Sequence, residues 1–308
     1  MALADQINVI ECGASELLGT GQQACKFDWN RIKTVEFSAP GYVYTVELDL
    51  DSEREAQQKE EIFIVKDAES FNLVPVEPTI STSDGSGVES VDGELPYKYD
   101  IMFRNKGYNF WKALRRFNSN GGAYNVAFWD IDGNKIMTQS KGGLIKGFAT
   151  SMIFTGQYKG REGNTPAEFK MTIQLSDDVS QMERQVVISN ETSGISISDL
   201  DGYNDVVLTP SPLSVASTSL VVSALLVDKS HFAAGLVLAD FVIKKDGVAI
   251  VASAATPNET NKTYTFTIPA ASAGTYTVDT TNTFGKKVVL LSATGLLYKG
   301  LTGTVIVT

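Results

Sequence analysis

Strand-length runs of alternating apolar and polar residues recur along the chain and leave room mainly for folds built from β-sheet. "KTVEFSA", "YVYTVELDL", "EIFIV", "YKYDIMF", "AYNVAFWDI", "FATSMIFTGQY" and "AEFKMTIQL" are rich in Val, Ile, Tyr and Phe, and each is bounded by Gly, Pro, Asn or Asp. A period of two puts successive side chains on opposite faces of a sheet, so each run can bury one face. One segment, residues 106–118, breaks the pattern. Phe110, Leu114 and Phe117 fall on one side of a helix with Trp111 beside them, while Lys112, Arg115 and Arg116 take the other side. "SNGG" then supplies glycines for a left-handed stop. The spacing also admits a shorter helix at 14–18. Residues 1–195 therefore read as a β-sandwich or barrel with one packed α-helix, in a mainly β protein.

Near 191–205 the composition changes. Beyond it Thr, Val, Ala and Ser dominate, and "SLVVSALLVD", "DFVIKKDG", "VAIVASA", "TYTFTIPA", "GTYTVDTT", "KKVVLLSA" and "GTVIVT" follow at short intervals. Seven short strands with turn signals between them, over roughly 100 residues, are the pattern of an immunoglobulin-like sandwich. At "SAGTYTVDTTN" the step Gly274, Tyr276, Val278 resembles the tyrosine corner of immunoglobulin-like domains. Val278 stands where antibody domains have Cys, so the likeness is to the disulfide-free modules of bacterial and phage surfaces. The expected division is an assembly domain at 1–195, a linker at 196–209 and an immunoglobulin-like domain at 210–308.

Two segments interrupt the strands of the first domain. Residues 51–61, "DSEREAQQKEE", are almost wholly polar, and residues 76–96 are rich in Pro, Ser, Gly and acid. Both are too long for tight hairpins, and long loops in compact domains are commonly functional or mobile. Neither holds recognisable chemistry, so contact with other subunits is the expected use. The formal net charge of −10, from 26 basic and 36 acidic residues, argues against nucleic acid as the main partner. Residues 47–94 hold 14 acidic and 3 basic side chains, residues 95–175 hold 5 acidic and 12 basic, and residues 201–308 hold 7 of each. Ordinary solvated surface would account for this. The sharper expectation is a self-complementary subunit whose acidic face meets the basic face of the next copy. The subunit-contact candidates are then Glu53, Glu55, Lys59, Glu60, Glu61, Arg115, Arg116, Lys141 and Lys146.

Catalytic chemistry finds little to stand on. The two cysteines, Cys12 and Cys25, read as small core hydrophobes rather than a disulfide framework. The one histidine, His231, shares the C-terminal domain with neither cysteine, and His- or Cys-rich metal sites are excluded by count. A calcium loop starting at Asp130 would need Gly sixth and Glu twelfth, whereas Gly133 is fourth and Lys141 twelfth, so a turn between strands is expected there. Asp199, Asp201 and Asp205 form a weak cation candidate. "SKGGLIKGF" lacks the spacing of a phosphate loop, and its glycines read as a bulge or tight turn. Tyr108, Phe110, Trp111, Phe128 and Trp129 could form a sugar platform, but their spacing fits core packing better. Carboxylate pairs of glycosidase type stay open, with no pair singled out. No cofactor, metal or catalytic residue is expected. The N-terminal stretch lacks a basic region and a long apolar run, and no segment reaches the roughly 18 apolar residues of a membrane span, so no membrane partner is expected.

The β-rich domain with one helix, the polar segments, the paired charge blocks and the C-terminal module together resemble the virion structural proteins of tailed bacteriophages. Within that group the chain resembles a major tail tube protein. The resemblance implies a subunit made in the host cytoplasm and carried in the virion. It implies homo-oligomeric rings, stacked into a tube that conducts DNA, with residues 51–61 as the inter-ring loop; the net charge of −10 adds the expectation of an acidic lumen that repels phosphates. It further implies contact with other virion structural proteins and an outward immunoglobulin-like module, whose neutral charge and Thr/Ser-rich composition suit weak, many-copy glycan contact at a cell surface. A capsid decoration, ring or connector protein would share the pattern. A cell-surface carbohydrate-binding or adhesion protein is the alternative from another class.

Overall fold

The computed structural model describes residues 3–8, 29–75, 79–82, 89–93, 96–176, 178 and 180–308. The chain is mainly β, as expected, and divides into two compact units. The first comprises Met1–Glu53 and Ile62–Leu200, the second Arg54–Glu61 and Asp201–Thr308. No helix among the described residues is long and apolar enough to cross a membrane.

The main strands of the first unit are β1 (Ile32–Ser38), β2 (Ile62–Val65), β3 (Ser70–Val74), β4 (Lys98–Arg104), β5 (Asn125–Asp130), β6 (Lys135–Gln139), β7 (Phe148–Thr155), β8 (Glu168–Leu175) and β9 (Gln185–Ile188). One sheet runs β2-β1-β5-β6-β9, with Ile7–Asn8 at its far edge. Another runs β3-β4-β8-β7, with the short strand Ser119–Asn120 beyond β7. β7 serves both, since Phe148 and Ala149 pair with β5 while Thr150 onward pairs with β8. Val35, Phe37, Val126 and Phe128 of the first sheet share one core with Tyr99, Ile101, Phe103, Phe169, Met171 and Ile173 of the second. The first sheet is also covered on its other face, where Ala127, Trp129, Met137 and Ile188 pack with Tyr44 and Leu48. Double coverage explains why all six residues of β5 are buried instead of alternating.

The helix expected at 106–118 is present as α-helix Tyr108–Leu114 followed by a 3-10 turn, Arg115–Phe117. Leu114 is buried, Phe117 stacks on Phe37 at 4.4 Å between ring centres, and Phe110 meets Phe103 edge-on at 5.6 Å. The turn expected after Asp130 is also present. Asp130 Oδ1 accepts the backbone N–H groups of Asp132 and Asn134 at 2.9 Å each. Gly133 sits there at φ +86°, where an added Cβ would stand 2.4 Å from the Ile195 carbonyl oxygen.

Residues 51–61 are not a loop. They lie largely within the helix Leu50–Gln58. Asp49 Oδ1 accepts the N–H of Ser52 at 2.7 Å, and the Ser52 hydroxyl reaches back to Asp49, which anchors the first turn. Within 76–96, Thr79–Thr82 and Glu89–Gly93 pair as an antiparallel hairpin. Residues 76–78, 83–88 and 94–95 of that segment, the expected helix at 14–18, and Cys12 and Cys25 lie outside the described residues.

The second unit contains β10 (Tyr203–Pro210), β11 (Ser219–Leu226), β12 (Phe241–Lys245), β13 (Val248–Ile250), β14 (Ala254–Asn258), β15 (Thr263–Thr267), β16 (Gly274–Thr280), β17 (Val288–Leu290), β18 (Leu297–Leu301) and β19 (Gly303–Val307). They form a sheet in the order β14-β15-β11-β10-β18-β17 and a second in the order β13-β12-β16-β19. Leu220, Val222, Tyr264 and Phe266 of one sheet share a core with Ile243, Tyr276 and Val278 of the other, as in an immunoglobulin-like sandwich. The tyrosine corner has its expected geometry. Buried Tyr276 accepts the Ser272 N–H at 3.1 Å and donates to the Ser272 carbonyl at 3.3 Å. Tyr276→Phe is expected to destabilise this unit by about 1 kcal/mol, the net worth of a hydrogen bond, read as a lower denaturant midpoint. Residues 196–209, expected as a linker, hold the 3-10 turn Ile197–Asp199 and most of β10. β10 is an inner strand, antiparallel to β11 and parallel to β18.

Candidate functional site

The contact candidates separate once they are placed. Glu53 is only 2% exposed and cannot serve as a surface contact. Glu55 is exposed and pairs with Lys59 at 2.5 Å, one helical turn on. Such exposed pairs contribute at most about 1 kcal/mol. Glu60 pairs with Lys299 at 2.5 Å inside the second unit, and Glu61 is half-buried at the end of the helix. Arg115 and Arg116 are exposed on the 3-10 turn, and the Arg115 guanidinium lies 5.0 Å from the centre of the Trp111 ring. Lys141 is exposed in the turn after β6, whereas Lys146 is half-buried. None of these last four makes an ion pair among the described residues. The acidic and basic blocks also meet within one chain: Asp67 with Lys106 at 2.8 Å, Glu69 with Arg104 at 3.8 Å, and Glu53 with Lys135 at 2.7 Å.

That last pair belongs to a buried cluster on the face of the first sheet opposite the main core. β1 contributes Glu36, β5 contributes Trp129, β6 contributes Lys135, and the helix contributes Glu53. Trp129 and Lys135 are direct cross-strand partners. Glu36 and Lys135 are 0% exposed. Lys135 Nζ lies 2.8 Å from Glu36 Oε2, 3.0 Å from Glu36 Oε1 and 2.7 Å from Glu53 Oε1. Trp129 Nε1 donates to Glu36 Oε2 at 3.0 Å, and the Tyr44 hydroxyl donates to Glu36 Oε1. The ammonium also sits 4.1 Å from the Tyr44 ring centre and 4.9 Å from that of Trp129. Glu53 Oε2 is buried without a hydrogen-bond partner. Burial first, then the charge of Glu36, holds the Glu53 carboxyl well above the usual carboxylate range, against the opposing pull of Lys135. Burial and the same neighbour raise the Tyr44 hydroxyl, so it keeps its proton and acts as donor. With Glu53 protonated, one carboxylate faces one ammonium and the cluster is neutral, the state that burial favours. The sequence reading missed this cluster, because Glu36 and Lys135 stand in strand patterns where a polar residue predicts the solvent side.

Two surface features complete the inventory of the first unit. β3 pairs with β4 on one side, and no strand pairs with its other side among the described residues. On this strand Phe71 enters the main core, while Leu73, two residues on and so on the same face, is 51% exposed. Tyr108, Trp111 and Tyr158 form a second, partly exposed group. Tyr108 lies 5.0 Å from Trp111 and 5.7 Å from Tyr158 between ring centres. Of the five aromatics weighed as a sugar platform, Phe128 and Trp129 are fully buried and Phe110 and Trp111 pack against the core, leaving Tyr108 as the exposed one.

His231 touches both an acid and a hydroxyl, yet not as a relay. Asp228 Oδ2 and Ser230 Oγ both approach the same ring nitrogen, Nδ1. A nucleophilic triad needs the hydroxyl on the nitrogen opposite the carboxylate. Among the described residues no group of three or more His, Cys, Asp or Glu side chains is arranged to hold a metal ion, and Asp199 instead caps its own turn through the Ser196 N–H.

Neither a protein-family model nor a curated protein matches the chain. Among solved structures, it is similar at 11% identity and a TM-score of 0.21 to SGBP-B of the Bacteroides ovatus mixed-linkage glucan utilization locus, in complex with a mixed-linkage heptasaccharide. That likeness covers 80% of this chain and 62% of the other, so this chain spans under two thirds of its length.

Proposed function

We propose that this chain is a non-enzymatic structural subunit of a phage virion, a tail tube protein whose copies join into rings through the sheet edges of the first unit. The observation that carries this reading is the edge of β3 that no strand pairs with among the described residues. A strand from a neighbouring copy would take up its outward main-chain groups and cover Leu73, which continues the core face beyond the subunit's own core. The charge candidates that stay exposed and make no ion pair among the described residues, Arg115, Arg116 and Lys141, add a basic rim for contact with acidic surface. Electron microscopy of the purified full chain tests the reading. Rings or tubes are expected from the parent. Leu73→Lys should melt as the parent does, because the site is half in water, yet fail to assemble, because charge on an edge strand blocks pairing. A parent that stays monomeric at high concentration, or a lysine variant that assembles normally, would remove the proposal.

The Tyr108, Trp111 and Tyr158 group favours a second reading, a carbohydrate-binding surface protein, since partly exposed rings offer faces for sugar stacking. Its signature would be a monomer that binds on a glycan array and loses that binding in Tyr108→Ala.

A further inference from the structure

We infer that the buried cluster of the first unit is a self-modification site, at which the Lys135 amine condenses with the Glu36 carboxyl to form an intramolecular amide, with Glu53 as the proton relay. The inference stands on geometry. Nζ lies within 3.0 Å of both oxygens of Glu36, so the amine and the carboxyl group are already held in contact without side-chain search. Both oxygens are already held by neutral donors, the Trp129 indole N–H and the Tyr44 hydroxyl. These are the positions at which negative charge grows when the carbon becomes tetrahedral. Glu53 Oε1 also touches the nitrogen, at 2.7 Å, and its second oxygen has no hydrogen-bond partner among the described residues. Burial of all three groups keeps out the water that would reverse the reaction.

The steps balance without any co-reactant. The condensation runs through the neutral form of the pair, in which one proton has moved from Nζ to Glu36 and an amine faces a carboxylic acid. The nitrogen lone pair attacks the Glu36 carboxyl carbon and forms the C–N bond. Glu53, protonated at the start, gives its proton to the departing oxygen and takes one from the nitrogen, so it ends as it began. The C–O bond breaks and one water leaves. One ammonium and one carboxylate have become one amide plus water, with no change in net charge. Glu36 is the acylated partner rather than Glu53, because its two oxygens carry both donors, whereas the raised proton affinity of Glu53 suits the relay.

The measurement is the intact mass of the full chain under denaturing conditions, followed by peptide mapping. The expected result is a mass one water below that of the sequence, with a linked pair of peptides carrying Glu36 and Lys135, 99 positions apart. Lys135→Arg and Glu53→Gln are each expected to return the chain to its unmodified mass. A parent at full sequence mass overturns the inference. So does a water loss mapped elsewhere, such as a cyclised Asp132–Gly133 step, and a link from Lys135 to Glu53 overturns the assigned roles. Because the parent itself is read, a variant that fails to fold does not blunt the test.

Discussion

A fragment spanning residues 210–308 is expected to be unfolded, with no cooperative melt, although it contains every strand that the sequence pattern of the immunoglobulin-like module announces. The missing piece is β10, which lies between β11 and β18 and carries buried Val206 and Leu208 into the core. Without it, two ladders lose their partner and the core loses two aliphatic side chains, each worth about 1.5–3 kcal/mol when buried. Small domains hold only about 5–15 kcal/mol in total, so the loss removes most of the margin. Restoring residues 201–209 should bring back tertiary circular dichroism and a cooperative transition. Cooperative melting of the 210–308 fragment would show that β10 is dispensable.

The second large effect is expected at Lys135. Lys135→Met leaves Glu36 buried without its partner, whether that partner is held by charge or by the inferred amide, and breaking a buried pair from one side typically costs about 3–5 kcal/mol. Denaturant unfolding of the full chain should show this as a large fall in the midpoint of the first unit. Adding Glu36→Gln should recover part of the loss, since the stranded charge is then gone and the two sites are in contact. A single variant as stable as the parent would mean that the cluster contributes nothing to folding. The same cluster restricts how charge reversal can be used to probe assembly. Glu53→Lys would set a second cation beside Lys135 in the interior, so unfolding would precede any effect on subunit contact.

Much of the fold was legible because the physics that shapes it is periodic. The amphipathic helix shows Phe110, Leu114 and Phe117 at helical spacing, and the structure buries that face against Phe103 and Phe37. The tyrosine corner was legible because Gly274, Tyr276 and Val278 are spaced by local geometry. The helix Leu50–Gln58 was not, because the side chains it buries are Glu53, Ala56 and Gln57. They sit at i, i+3 and i+4, yet two of the three are polar, so a hydrophobic pattern cannot reveal them. β10 was hidden for a related reason. Its first half, Tyr203, Asn204 and Asp205, has the composition of a linker, and only Val206 and Leu208 mark the buried face. Of the contact candidates, sequence could supply charge but not partners. Glu53 and Lys135 are 82 positions apart, and nothing local signals that they meet.

The second unit is discontinuous in the chain, and this sets an order on its synthesis. Gln57 donates to the Asp201 carbonyl at 2.7 Å, Asn282 donates to the Gln58 carbonyl at 2.8 Å, and Tyr203 donates to the Gln57 carbonyl at 2.7 Å. Residues 54–61 leave the ribosome long before any of these partners exists. At about 5–20 residues per second, a gap of 144 positions is a wait on the order of ten seconds. The eight-residue stretch is polar enough to wait without aggregating, which an apolar helix in its place would not be.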